Sequence, residues 1–142
     1  MTKTKKVYVP ASVKVAKSKT GLGMFALEEI KKGDFIIEYV GKKMLTKDAD
    51  EKGGRYLFEL NSKWTIDGVD RKNKARYINH SCRPNCEVDI KNGRILIFAI
   101  KKILPGEELT YDYGEEYFND YFKKPGCKCG ACDGTGKLLK KK

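Results

Sequence analysis

The sequence predicts a mainly β domain built of short strands, and three observations carry this. Runs rich in β-branched and aromatic residues recur, from Phe35-Ile36-Ile37-Glu38-Tyr39-Val40 to Arg94-Ile95-Leu96-Ile97-Phe98-Ala99-Ile100, the composition that suits a pleated, half-buried surface. Turn signals separate them at Gly33-Asp34, Gly53-Gly54, Asn92-Gly93 and Pro105-Gly106. Only one stretch, residues 46–51, starts like a helix.

In chain order, residues 13–15 alternate weakly and make a candidate first strand. Residues 17–23 are basic and glycine-punctuated and read as a turn. Gly21 and Gly23 would let a ligand approach the backbone, although a plain turn explains them equally well. There is no GxGxxG with a βαβ pattern behind it, so this is not a dinucleotide-binding loop. Residues 35–40 form a strand closed by Gly41. Thr46 would cap the short helix, which Gly53-Gly54 ends. Tyr56-Leu57-Phe58-Glu59-Leu60 and Trp64-Thr65-Ile66-Asp67 are strands flanking a turn at Asn61-Ser62, and Gly68 stops the second. Residues 87–90 alternate polar and apolar ahead of the type I′ signal Asn92-Gly93, and residues 94–100 make the most buried-looking strand. After Pro105-Gly106 comes Leu109-Thr110-Tyr111.

A chain of 142 residues, 40% of them hydrophobic, suits one domain with one core. No apolar run approaches the roughly 18 residues that a membrane span requires. The lysine-rich start has no apolar segment after it and does not read as a signal peptide. A cytoplasmic or nuclear setting with reduced thiols is expected, where five cysteines point to metal more than to disulfides. The net charge of +11 lies at the ends. Residues 1–19 hold six lysines and no acid, and residues 123–142 hold seven lysines against Asp133. Such tails are usually solvated, and they can also attract nucleic acid without sequence preference.

The chain is organised around Ala75-Arg76-Tyr77-Ile78-Asn79-His80-Ser81-Cys82-Arg83-Pro84-Asn85-Cys86, which holds its single histidine and two of its cysteines. This run is too polar for an ordinary strand and ends in a Pro-Asn turn. It reads either as a rigidly held site or as a polar loop with a satisfied histidine and two buried thiols. A second stretch, Glu107-Glu108-Leu109-Thr110-Tyr111-Asp112-Tyr113-Gly114, settles the choice. Together with Gly21-Leu22-Gly23-Met24-Phe25-Ala26, Glu38-Tyr39-Val40-Gly41, Arg55-Tyr56-Leu57-Phe58-Glu59-Leu60 and the C-terminal Cys127-Lys128-Cys129 and Cys132, it resembles the SET-domain family of protein lysine methyltransferases. The resemblance covers about residues 13–133. Each motif alone is weak, and their order makes them specific.

That resemblance implies a compact, β-clip-like fold of small sheets with few short helices and a C-terminal pseudoknot. It divides the chain into a basic tail (1–12), a SET domain (13–122), a post-SET zinc segment (123–134) and a second basic tail (135–142), with no pre-SET cysteine cluster. It implies methyl transfer from S-adenosylmethionine, leaving S-adenosylhomocysteine, to a lysine of a basic protein such as a histone. Tyr113 takes the catalytic position, with Tyr56 lining the lysine channel and Tyr111 setting how many methyls fit. Gly21, Leu22, Gly23, Met24, Tyr39, Asn79 and His80 take the cofactor positions. Cys82, Cys127, Cys129 and Cys132 take the Zn2+ positions, Cys82 being preferred to Cys86. The spacing of the last two cysteines is shorter than is common in the family, though C-x2-C is itself an ordinary zinc spacing.

Taken singly, Tyr56 and Tyr113 would equally be core aromatics with a polar handle, and the acids between Glu107 and Asp120 an ordinary solvated face instead of an attractor for a lysine-rich peptide. Two rival functions follow from the same residues. One is a non-catalytic, zinc-stapled module that binds a basic protein or nucleic acid. The other is a thiol hydrolase using Cys82 and His80, whose closeness in sequence is poor support for it.

Overall fold

The structure is a computed structural model that describes residues 9–18 and 21–113. The strands among them are β1 (Val13–Ser18), β2 (Gly21–Ala26), β3 (Phe35–Tyr39), β4 (Lys42–Leu45), β5 (Leu57–Glu59), β6 (Trp64–Asp67), β7 (Asn79–His80), β8 (Cys86–Lys91), β9 (Arg94–Ala99) and β10 (Thr110–Tyr111). Helix α1 (Thr46–Lys52) follows β4, and a 3-10 turn (Lys74–Tyr77) precedes β7. These strands form four small sheets: the β1-β2 hairpin, β3-β9-β8, β4-β6-β5, and the parallel pair β7-β10.

The expected mainly β architecture is what the molecule adopts. The first strand is longer than the sequence suggested, and most of the expected turn over residues 17–23 is strand: Lys17 and Ser18 end β1, and Gly21 to Gly23 begin β2, its antiparallel partner. Met24 and Ala26 alternate into the core and hold it extended. β4 was not foreseen: Lys42-Lys43-Met44-Leu45 carries no apolar alternation and is held by its antiparallel pairing with β6. The helix is where its pattern placed it, but Thr46 does not cap it. Leu45 occupies the N-cap without a side-chain hydrogen bond. The Thr46 hydroxyl lies 2.9 Å from that of Thr65 and donates to the Asn61 carbonyl at 3.1 Å, tying the helix start to the sheet.

β9 is the core strand. Ile95, Leu96, Ile97 and Ala99 are all buried, and β9 pairs with β3 on one side and β8 on the other. The β8-β9 turn has positive φ at both Asn92 (51°) and Gly93 (74°), as the type I′ signal required. Met24, Ile36, Ile78, Ile103 and Leu109 pack into the same core. Residues 1–8 of the tail expected over 1–12, the segment 123–134 expected to bind zinc, the tail expected over 135–142 and the boundary expected near 122 lie outside the described residues.

Two glycines set how the sheets meet. A Cβ on Gly41 would collide with the backbone carbonyl of Asp67, and one on Gly68 with Asn73 and the Tyr39 ring. Between them the buried Asn73 accepts from the Val40 backbone N–H and donates to the Gly68 carbonyl, each at 3.0 Å. Gly41→Ala is therefore expected to destabilise the fold by about 1–3 kcal/mol through overpacking against rigid backbone. A urea midpoint equal to that of the native protein refutes this close approach.

Candidate functional site

The polar run of residues 79–86 is held by a crossing of two distant segments. β10 lies parallel to β7, Thr110 opposite Asn79 and Tyr111 opposite His80. A two-residue ladder is too short to persist alone, and side chains reinforce it. Asn85 is buried. Its amide donates to the Glu108 carbonyl at 2.8 Å and accepts from the Thr110 N–H at 2.9 Å. The Ser81 N–H donates to the Tyr111 carbonyl at 3.2 Å, and the Ser81 hydroxyl accepts from the Arg83 N–H at 3.0 Å. These asparagine and serine groups replace backbone partners that an irregular segment lacks. That is why so polar a run is buried.

At one end of the crossing, Asn79 reaches the glycine-containing strand β2. Its amide donates to the Leu22 carbonyl at 3.0 Å and to the Glu108 carboxylate at 2.8 Å, and the Ser18 hydroxyl donates to the same carboxylate at 2.9 Å. Gly23 sits where a Cβ would strike Glu108, Ser18 and Asn79. Gly21, Leu22, Gly23 and Asn79 thus lie together, joined by Glu108, which the sequence placed in the motif and among the acids of residues 107–120 but gave no anchoring role. Met24 belongs to the core, and its carbonyl accepts from the Leu109 N–H at 2.8 Å. Tyr39 is buried, with its hydroxyl donated to the Tyr56 carbonyl at 2.6 Å and its ring tilted against Phe58 at 5.4 Å.

His80 occupies the middle. Its Nδ1 accepts from the Tyr113 backbone N–H at 3.1 Å, and its Nε2 lies 3.3 Å from the Cys82 sulfur. A backbone N–H is a fixed donor, so the neutral ring carries its proton on Nε2 and donates to sulfur. Burial holds the His80 pKa below its ordinary value; Asp112, 3.7 Å from Nδ1, opposes this. With Nδ1 engaged, His80 has no lone pair left to take a proton from Cys82, which argues against the thiol-hydrolase reading. Cys86 is buried and sealed, and its thiol donates to the Asn85 side chain at 3.2 Å.

Beside the crossing lies a cleft of about 370 Å³ lined by Tyr39, Tyr56, Phe58, Arg76, Tyr111 and Tyr113, among others. Tyr111 and Tyr113 stand on one side of the extended chain, ring centres 4.9 Å apart, and Tyr113 meets His80 edge-on at 5.3 Å. The Tyr113 hydroxyl donates to the Ile78 carbonyl. Three tyrosines that are 57 positions apart at the extremes thus share one space. Arg76 was quoted within the central run but given no role, and nothing in its spacing marks it as a cleft residue. Cys127, Cys129 and Cys132 lie outside the described residues. Among the described residues no group of three or more histidine, cysteine or acidic side chains stands ready for a metal.

Residues 21–114 match the family model described as SET domain. The chain is 40% identical over 133 positions to the histone-lysine N-methyltransferase trr of Drosophila melanogaster, an alignment covering 84% of this chain and 5% of that protein. It is 40% identical over 123 positions to an H3 lysine-4 specific histone-lysine N-methyltransferase of Schizosaccharomyces pombe, covering 78% of this chain and 13% of that one. A polycomb repressive complex 2 structure from Chaetomium thermophilum superposes with a TM-score of 0.68 at 31% identity, over 75% of this chain and 16% of the matched one. This chain therefore spans only a small part of the length of each.

Burial pushes the Cys86 thiol from an ordinary 9.0 up to about 12, with the Thr110 N–H opposing. Because the thiolate is the reactive form, alkylation of the native protein in mildly alkaline buffer should leave Cys86 unmodified until the chain unfolds, as read by peptide mass spectrometry. The stability linked to this thiol is full below about 9. It declines towards 12, where the unfolded chain has already lost the proton that the folded chain keeps.

Proposed function

This chain belongs to the SET domain family, whose domain is a lysine methyltransferase domain, and from that premise we propose that it methylates lysine side chains of histones or other basic proteins, using S-adenosylmethionine. The observation that carries the reading is the meeting of Tyr56, Tyr111 and Tyr113 in one cleft, next to the Asn79 and Gly23 cluster.

The cofactor supplies an electrophilic methyl on a sulfonium. The protein's own residues do the rest by alignment and desolvation, which together can contribute on the order of 7–11 kcal/mol. The substrate amine must be neutral to attack, and a narrow tyrosine-walled cleft disfavours its charged form. Tyr113 donates its proton to the Ile78 carbonyl, a bond that fixes the hydroxyl and would turn its oxygen lone pairs towards the transferring methyl and the amine. Tyr56 walls the cleft, with its own carbonyl holding the Tyr39 hydroxyl.

The chemistry around β2 fits the cofactor. Gly21 has φ of +119° with open space at the Cβ position, leaving backbone accessible there. Asn79 supplies an amide and His80 its backbone on the other side. Tyr39 and Met24 enter this proposal through the cleft wall and the strand backbone respectively.

For zinc, Cys82 fits as a ligand. It is half-buried, and the hydrogen bond from His80 Nε2 stabilises a thiolate. Cys86 does not fit, because its burial opposes ionisation. We therefore assign Zn2+ to Cys82, Cys127, Cys129 and Cys132, where it would staple the C-terminal segment over the site. Chromatin and the nucleus are the setting this substrate class implies, with the lysine-rich termini supplying non-specific nucleic-acid contact. No helix among the described residues is long and apolar enough to cross a membrane.

Radiolabelled methyl transfer to core histones and basic peptides tests the activity. Tyr113→Phe is expected to bind cofactor normally and to lose roughly 10²-fold or more in turnover, the scale of one oriented polar group. Unchanged turnover refutes the role of Tyr113. Metal analysis is expected to find one zinc per chain, lost in Cys82→Ser and kept in Cys86→Ser; the reverse pattern moves the ligand to Cys86. The Tyr111 hydroxyl can hold a water in the space that a second methyl needs, so the native product is expected to be mainly monomethyl-lysine. Tyr111→Phe should shift it towards di- and trimethyl-lysine in a mass-spectrometric time course. Rapid trimethylation by the native protein removes this role.

A further inference from the structure

Arg76 is the cleft residue that the mechanism above leaves unused. It sits half-buried on the 3-10 turn, with its guanidinium 4.3 Å from the centre of the Tyr56 ring and 5.1 Å from that of Tyr77. One terminal nitrogen donates to the Val69 carbonyl. Its Nε is shielded from solvent and has no hydrogen-bond partner among the described residues, and no carboxylate among them forms an ion pair with it. Two aromatic faces and a carbonyl therefore hold this cation in place without cancelling its charge.

The other charged groups facing the cleft come from different elements. Asp50 lies on α1, Arg55 ahead of β5, and Glu59 at the end of β5. All three are exposed, and water screens them strongly. Lys74, on the same turn as Arg76, is also exposed. The remaining titratable groups there are the phenols of Tyr39, Tyr56, Tyr111 and Tyr113, with that of Tyr77 beside Arg76. Among the described residues Arg76 is thus the half-buried charge lining the cleft, acting through a lower local dielectric than the exposed groups.

A fixed cation is unexpected in a space meant for a lysine side chain, since it repels the ammonium. It does not repel the amine. We propose that Arg76 keeps the substrate lysine neutral by placing a positive charge, paired with no carboxylate among the described residues, in the cleft walled by Tyr56, Tyr111 and Tyr113. This rests on reading that cleft as the lysine channel. The ammonium gives its proton to solvent water as it enters. The freed lone pair then forms the nitrogen–carbon bond while the sulfur–carbon bond breaks, its electron pair remaining on sulfur. The exposed, screened Asp50 and Glu59 do little to hold the cation, and Arg76 discourages it from remaining a cation inside.

Single-turnover rates against pH test this in the native protein, Arg76→Lys and Arg76→Gln, since the rate from the loaded complex reports the groups that titrate within it. Removing a like charge at close range is expected to move the acidic limb upward by about one pH unit. Arg76→Gln should then be about tenfold slower near neutrality and recover in alkali. Arg76→Lys, which keeps the charge, should keep the native limb. A merely structural role would lower the rate at every pH and leave the limb in place, and that result overturns the proposal. If Arg76→Gln does not fold, the native protein loaded with S-adenosylhomocysteine decides. A peptide lysine labelled with carbon-13 at the ε position is titrated by NMR; a bound amine titrating at least about one unit below the free peptide supports the proposal, and one titrating at the free value overturns it. A native protein that transfers no methyl at any pH refutes the parent reading separately, and the titration compared between native protein and Arg76→Gln still reads the effect of the cation.

Discussion

The molecule depends on one constraint, the seating of residues 107–113 beside residues 79–86. The parallel contact of β10 with β7 is only two residues long, so its persistence comes from buried amides. Asn85 satisfies the Glu108 carbonyl and the Thr110 N–H at once, and Asn79 joins the Glu108 carboxylate to the Leu22 carbonyl. Removing such a group leaves buried partners unpaired, at a cost of about 1–3 kcal/mol each. Leu109, fully buried between these two anchors, adds apolar burial to the polar ties. Asn79, His80, Tyr111, Tyr113 and the glycine strand β2 are positioned by this crossing, whereas Tyr39 and Tyr56 are held to each other, and Tyr56 to Arg76 on the 3-10 turn.

The same seating divides the chemistry into two neighbourhoods. On one side, backbone carbonyls and a carboxylate gather at β2, where Gly23 permits approach that a side chain would block. On the other, tyrosine rings wall a cleft. His80 stands between them, held neutral by burial and by the Tyr113 N–H, which occupies the nitrogen that an added proton would need. Its one remaining proton points to Cys82. A histidine so placed serves structure on two sides, through the Tyr113 N–H and the Cys82 sulfur. It does not serve as a base.

The charges in the cleft are arranged by burial more than by number. Carboxylates and an arginine at the rim are exposed and weak in effect, whereas Arg76 is partly withdrawn and retained by aromatic stacking. Glu108, expected in an acidic surface, is consumed by Ser18 and Asn79. Net charge along a sequence stretch therefore gives little guide to the field inside a cleft, because screening depends on exposure, which the linear order of residues does not report.

The sequence by itself determined the β class, the core strand over residues 94–100, the Asn92-Gly93 turn, the short helix and the motifs that mark the family. These are local properties: alternation, turn chemistry and residue type at fixed spacing act over a few neighbours. Only the tertiary structure decided the rest. β4 is a strand because β6 pairs with it, and Thr46 bonds to Thr65 because the sheet brings that hydroxyl near. Glu108 becomes an anchor and Arg76 a cleft cation because segments tens of residues apart meet there. The family resemblance already preferred Cys82 to Cys86 as the proposed ligand, and the fold adds a physical reason. Composition and spacing do not report the burial of two thiols four positions apart, yet one is partly open beside a histidine ring and the other is sealed, with its pKa raised to about 12. Burial sets the free energy of a charge, and burial is a property of the packed chain.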